Sequence, residues 1–120
     1  MTTLGAALER VEPGHVTITA PIRPEIAQQH GFAHAGATFA LADSAAGYAA
    51  LSTMAEGAEV LTVEMKINLL APADGLRLLA HGEVVRAGRR LVVVRAMVEV
   101  ERADGKRREV ALLQGTMIPA

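Results

Sequence analysis

The chain has 120 residues and a formal net charge of −1, with acidic and basic residues interspersed along it. This leaves no electrostatic footprint for nucleic acid or an anionic membrane and excludes polyanion binding as its main role. Cysteine is absent, which removes disulfides, thiol catalysis and thiolate metal sites together and agrees with a cytoplasmic location.

The expected organisation is a single domain over residues 1–120, with no Pro/Ser-rich linker or internal repeat and enough length to bury about two thirds of its unfolded surface. The N-terminus lacks the basic start and long apolar stretch of a signal peptide, and no window of eighteen apolar residues reads as a membrane span. Apolar residues make up 51% of the chain against 2% aromatic, which for a small domain points to apolar surface buried between subunits.

The first expected element lies within Val11 to Ile22, where Val16-Thr17-Ile18-Thr19-Ala20 alternates as a half-buried strand does, after the turn signal Pro13-Gly14. Pro21 and Pro24 then break regular structure. From Ala35 to about Ala55 the Ala-rich composition predicts a helix apolar on nearly all sides. Val60 to Leu70 alternates strictly, placing Thr62, Glu64, Lys66 and Asn68 on one face and Val63, Met65, Ile67 and Leu69 on the other, until Pro72 ends the strand. Leu76 to Arg86, Leu91 to Glu101 and Lys106 to Ile118 follow as three more strands, separated by Ala87-Gly88 and by the hairpin signal Ala103-Asp104-Gly105. Strand, long apolar helix and four-strand antiparallel run make an α+β arrangement in which a curved antiparallel sheet wraps one long central helix.

Within that helix one residue stands apart. Asp43 is the only charged side chain between Gly36 and Met54, about five helical turns. A carboxylate in such surroundings is costly to bury and calls for a chemical or pairing role.

The residues around it resemble a known family. His34-Ala35-Gly36, the helix segment Leu41-Ala42-Asp43-Ser44-Ala45 and the strand Thr62 to Ala73 are similar to hotdog-fold acyl-CoA thioesterases of the PaaI-like type, named for phenylacetic acid degradation. Gln28, Gly31, His34, Gly36, Asp43 and the Pro72-Ala73 pair fall where that family has an amide residue, a glycine, a His-Gly-Gly triplet, a helix acid and the end of a strand. The resemblance covers most of the chain and implies a hotdog fold. One position departs from the pattern: the first glycine of the triplet is Ala35, which keeps the backbone N–H but requires a backbone compatible with a side chain.

The resemblance implies hydrolysis of an aryl- or medium-chain acyl-CoA thioester, with Asp43 as general base or nucleophile. Gln28 and the Ala35 N–H would polarise the carbonyl, an amide at a helix start being suited to a developing oxyanion. Thr62 would orient water beside the carboxylate. His34 is a candidate base whose family counterpart shapes the loop and helix start. Gly36 is a candidate for substrate binding, and Phe39, Leu41, Tyr48 and Leu51 are candidates for the acyl pocket. Arg89 and Arg90 beside Arg86, and Lys106, Arg107 and Arg108 on the next hairpin, are candidates for the CoA phosphates.

No cofactor is expected, coenzyme A being part of the substrate. His15, His30, His34 and His81 form no recognised metal spacing. The resemblance also implies a homotetramer built as a dimer of dimers, with Gln28 and Ala35 of one subunit facing Asp43 and Thr62 of its neighbour. The fold alone would equally host a non-catalytic acyl-CoA-binding protein, a hydratase or a dehydratase. The hydratase pattern needs a histidine where Tyr48 stands, and the dehydratase pattern pairs a histidine with a helix glutamate.

Overall fold

The structure, a computed structural model, describes residues 4–24, 27 and 31–120. The elements run β1 (Ala7–Glu12), β2 (His15–Pro21), α1 (Ala35–Leu51), β3 (Val60–Leu69), β4 (Arg77–Ala87), β5 (Val92–Glu101) and β6 (Arg107–Pro119). Every strand pairing is antiparallel and the spatial order is β1-β2-β4-β5-β6-β3, so β1 and β3 form the two edges. This is the expected hotdog architecture: α1 packs against β2, β3, β4, β5 and β6. Among the described residues no helix is long and apolar enough to cross a membrane.

The helix can lie this close because its inner face is small. Ala42, Ala45, Ala46, Ala49 and Ala50 are fully buried against Ile18, Leu78, Val94, Val98 and Met117 of the sheet. The contact is tightest at Gly82 of β4, where a Cβ would fall 2.5 Å from the Ala45 oxygen and from the Ala46 nitrogen, so only glycine fits under the helix.

Three expectations need correction. Ala7–Glu12 is a strand, paired with β2 across the Pro13-Gly14 turn, although the sequence there gave no strand signal. All six of its residues are exposed, so no buried face imposed an alternating pattern on them. The helix ends at Leu51 rather than near Ala55. Ser52 Oγ donates to the Ala49 carbonyl at 2.6 Å and Thr53 Oγ1 to the Ala50 carbonyl at 2.8 Å, taking up carbonyls the last turn leaves open. Ser52 Oγ also accepts the Gly14 amide at 2.7 Å, which pins the β1–β2 turn to the helix end.

The third correction concerns β3. The register against β6 slips between Thr62 and Glu64, leaving Val63 as the extra residue of a β-bulge. Strict alternation therefore fails. Before the bulge Val60 and Thr62 face the helix, whereas after it Met65 and Ile67 do, and Val63 is 55% exposed. Thr62 does not share a face with Glu64, Lys66 and Asn68.

Candidate functional site

Asp43 is the central residue of α1, half-buried, and the bulge turns Thr62 toward it. Thr62 Oγ1 donates to Asp43 Oδ1 at 2.8 Å. Among the described residues this is the only hydrogen bond to the carboxylate, so no Lys or Arg of the same chain neutralises it. The pair stands at the head of a groove of about 290 Å³. Gly47 and Leu51, one and two turns beyond Asp43 on the same helix face, continue it, with Ser44 and Tyr48 along one side and Val60 on the strand side. Of the residues named above for the acyl pocket, Tyr48 and Leu51 line this groove. Leu41 does not: it is fully buried in the core, and Phe39 packs against that core rather than lining the groove.

The start of α1 is built by His34. Its Nδ1 accepts the Gly36 amide at 3.0 Å, and its carbonyl accepts from Ala37 and Thr38 at 2.9 and 3.1 Å. With Nδ1 held as an N-cap acceptor, the ring serves the helix start. Gly36 suits that cap, because a Cβ there would press on Nδ1 at 3.2 Å. These bonds leave the exposed Ala35 amide as a first-turn donor with no acceptor among the described residues. No non-glycine residue described has positive φ, so the backbone at Ala35 is one that a residue with a side chain adopts without strain. Beside Ala35 a second cavity of about 330 Å³ runs along Leu69 to Ala73, and the Ala33 amide ties the loop to the Ala73 carbonyl at 3.0 Å. Gln28 and His30 lie outside the described residues.

Arg89 and Arg90 sit exposed on the β4–β5 turn with Arg86, and among the described residues none of the three has an ion-pair partner. Arg90 borders a cleft formed with Val63, Leu91, Ile118 and Pro119. On the following hairpin Arg107 is held by Glu101 at 3.1 Å, while Lys106 and Arg108 are exposed. The features hidden from sequence reasoning are the bulge that aims Thr62 and the role of Gly47 as a groove wall. The only signal of the second was a glycine in the body of a helix.

The profile of the Thioesterase superfamily matches residues 30–107 of this chain. A Thioesterase family protein of Silicibacter pomeroyi, known by crystal structure, is 45% identical and superposes with a TM-score of 0.96, over 99% of this chain and 87% of that one. The BH2602 protein of Bacillus halodurans, whose crystal structure holds CoA, is 26% identical with a TM-score of 0.78, over 87% of this chain and 66% of that one. SSO2140 of Saccharolobus solfataricus, provisionally named an esterase, is 32% identical over 96 residues, 80% of this chain and 66% of that protein. The chain thus spans just under two thirds of the length of these last two relatives. With its hotdog architecture and more than half its length matched by the profile, the chain belongs to the Thioesterase superfamily.

Proposed function

We propose that the protein is an acyl-CoA thioesterase of the PaaI-like type, hydrolysing an aryl- or medium-chain acyl-CoA to the free acid and coenzyme A. The observation that carries this reading is the Asp43–Thr62 hydrogen bond at the head of an apolar groove. The similar BH2602 structure, which holds CoA, supports CoA as the thiol.

Asp43 acts as general base. It takes a proton from water as the water oxygen adds to the thioester carbonyl. The carbonyl oxygen, now bearing the charge, is held by the Ala35 amide at the positive end of α1, with Gln28 as second donor. The tetrahedral intermediate collapses, the C–S bond breaks, and the departing thiolate takes the proton from Asp43. Thr62 holds the carboxylate in one orientation throughout. The unpaired Arg89 and Arg90 receive the CoA phosphates.

Distance supports a site completed by a second copy. Ala35 precedes Asp43 by eight residues on one helix, about 12 Å along its axis, too far for both to reach one carbonyl. The Asp43–Thr62 groove lies at the start of β3 and the Ala35 cavity at its end. Among the described residues the outer edge of β3 has no strand partner, and its residues Leu61, Val63 and Leu69 are exposed. Two copies pairing their β3 edges antiparallel bring the start of one strand to the end of the other, so each carboxylate meets the other copy's helix start. Two such dimers make the tetramer.

The test is steady-state release of CoA from phenylacetyl, hydroxybenzoyl and C4 to C16 acyl-CoA esters, for wild type and Asp43→Asn. Wild-type turnover that falls about 100-fold or more in the variant is the expected result. No turnover on any ester, with acyl-CoA still bound, would replace the enzyme with a binding protein.

A further inference from the structure

The two charges in the middle of β3 differ from those on the strands beside them. Glu64 and Lys66 are exposed and two residues apart, so they share the strand face turned away from α1, where both line a groove with Arg95 and Gln114. Met65 and Ile67 take the opposite face and pack on the core. On the inner strands charges are matched within the chain, Glu83 with Arg95 and Glu101 with Arg77 and Arg107. Among the described residues Glu64 and Lys66 form no ion pair. Both stand on the edge strand whose outer side has no strand partner among the described residues.

When a second copy pairs antiparallel with this edge about a two-fold axis, one residue of β3 faces its own copy, and every other residue faces the one equally far beyond it. Each register is therefore defined by its central residue. Glu64 at the centre sets Glu64 against Glu64, and Lys66 at the centre sets Lys66 against Lys66, both repulsive pairs. Ile67 at the centre sets Lys66 against Asn68 and carries Glu64 to Leu70, past the end of the strand. Centres nearer either end shorten the ladder and match neither charge. Met65 at the centre sets Glu64 against Lys66 twice, once on each side of the axis. The same register suits the divided site. The bulge sets Val63 out of the ladder, so Thr62 falls opposite Ile67 of the second copy. That is two residues, about 7 Å along the strand, from the Leu69 that borders the Ala35 cavity.

We propose that Glu64 and Lys66 fix the register in which β3 pairs with β3 of a second copy of this chain, with Met65 on the two-fold axis and a Glu64–Lys66 ion pair on either side of it. This rests on the edge pairing of the thioesterase reading and on none of its chemistry.

The chain has no cysteine, so introduced cysteines report the register directly. Directly opposed strand residues have Cα atoms about 4.5 to 5.5 Å apart, within reach of a disulfide, whereas residues displaced by two are about 7 to 8 Å apart and out of reach. Full-length Glu64→Cys and Lys66→Cys are expressed separately and together, then oxidised. Neither variant alone cross-links, and the co-expressed pair gives a disulfide-linked heterodimer. Charge exchange gives a second readout by sedimentation. Glu64→Lys or Lys66→Glu alone raises the dimer dissociation constant about tenfold or more, because both pairs turn repulsive, and the double variant restores it. A cross-linked homodimer of either single-cysteine variant, no heterodimer on co-expression, or a double variant as weak as the single ones overturns the proposal. Hydrolysis of the ester panel by wild type is followed in parallel. A heterodimer without hydrolysis of any ester leaves the register standing and removes the thioesterase reading. Hydrolysis with a cross-linked homodimer does the reverse.

Discussion

Thr62 occupies Oδ1 of Asp43 and so fixes the rotation of the carboxylate, leaving Oδ2 with no hydrogen bond among the described residues. A general base needs this division, one oxygen anchored and one free for water. Thr62→Val keeps the shape and removes the anchor. Its kcat on the best ester should fall about tenfold with KM little changed, because in the proposed mechanism the interaction serves the attacking water rather than substrate binding. Equal kcat in both proteins would reduce Thr62 to a strand residue. At Gly82 the expectation concerns stability instead. Gly82→Ala drives a methyl into the Ala45–Ala46 backbone and should cost about 3 kcal/mol, at the upper end of overpacking penalties, read from the denaturant midpoint at unchanged m. Of these residues Asp43 was legible in the sequence, since a lone charge in an apolar helix is visible without coordinates. Gly82 was not, because nothing local in a strand reports that a helix crosses it.

Among the elements, β2, β4, β5 and β6 were legible to within a residue or so at most ends, their alternation imposed by the buried face of the sheet. The edge strand β1 was not, having no buried face, and β3 was read with the wrong face for Thr62 because a bulge interrupts a period that appears unbroken in sequence. The roles proposed for Gln28 and the Ala35 amide rest on resemblance alone, since a backbone donor leaves no mark on composition.

On β2, β4 and β5 a band of polar side chains crosses the sheet. Thr17 bonds His81 Nδ1 at 3.0 Å and His81 Nε2 meets Glu99 at 2.7 Å. Beside them Glu83 lies between Arg95 Nε at 2.6 Å and His15 at 2.8 Å. The hydrogen bond from Arg95 first, then that from His15, hold the Glu83 carboxyl below the usual carboxylate range against the opposing effect of partial burial. Because the folded state binds this proton less readily than the unfolded chain, Glu83 stabilises the fold at neutral pH. That contribution fades as pH falls from about 4.3, where an unfolded glutamate titrates, through the lower folded value. Glu83→Gln should therefore flatten the acid limb of stability against pH while leaving its slope above pH 6 unchanged, as followed by thermal midpoints across a pH series.

At the scale of the whole molecule, a site divided between two copies makes a prediction that no single-chain site can satisfy. In the proposed composite site, Asp43→Asn and Gln28→Ala would impair opposite halves. When the two variants are co-expressed and pair at random, half of the dimers are mixed, and each mixed dimer holds one intact site of two. Activity should return to about a quarter of wild type, although each variant alone is nearly inactive. No recovery in the mixture, or a monomeric mass near 12.6 kDa by light scattering in an active sample, would place the whole site in one chain.

Tyr48 borders the groove with 43% of its surface exposed, and the chain has no other tyrosine and no tryptophan. The near-ultraviolet emission of the protein therefore comes almost entirely from one phenol at the mouth of the proposed acyl site. Every molecule carries its own optical probe of occupancy, and the arrival and departure of an acyl group can be timed in unlabelled protein.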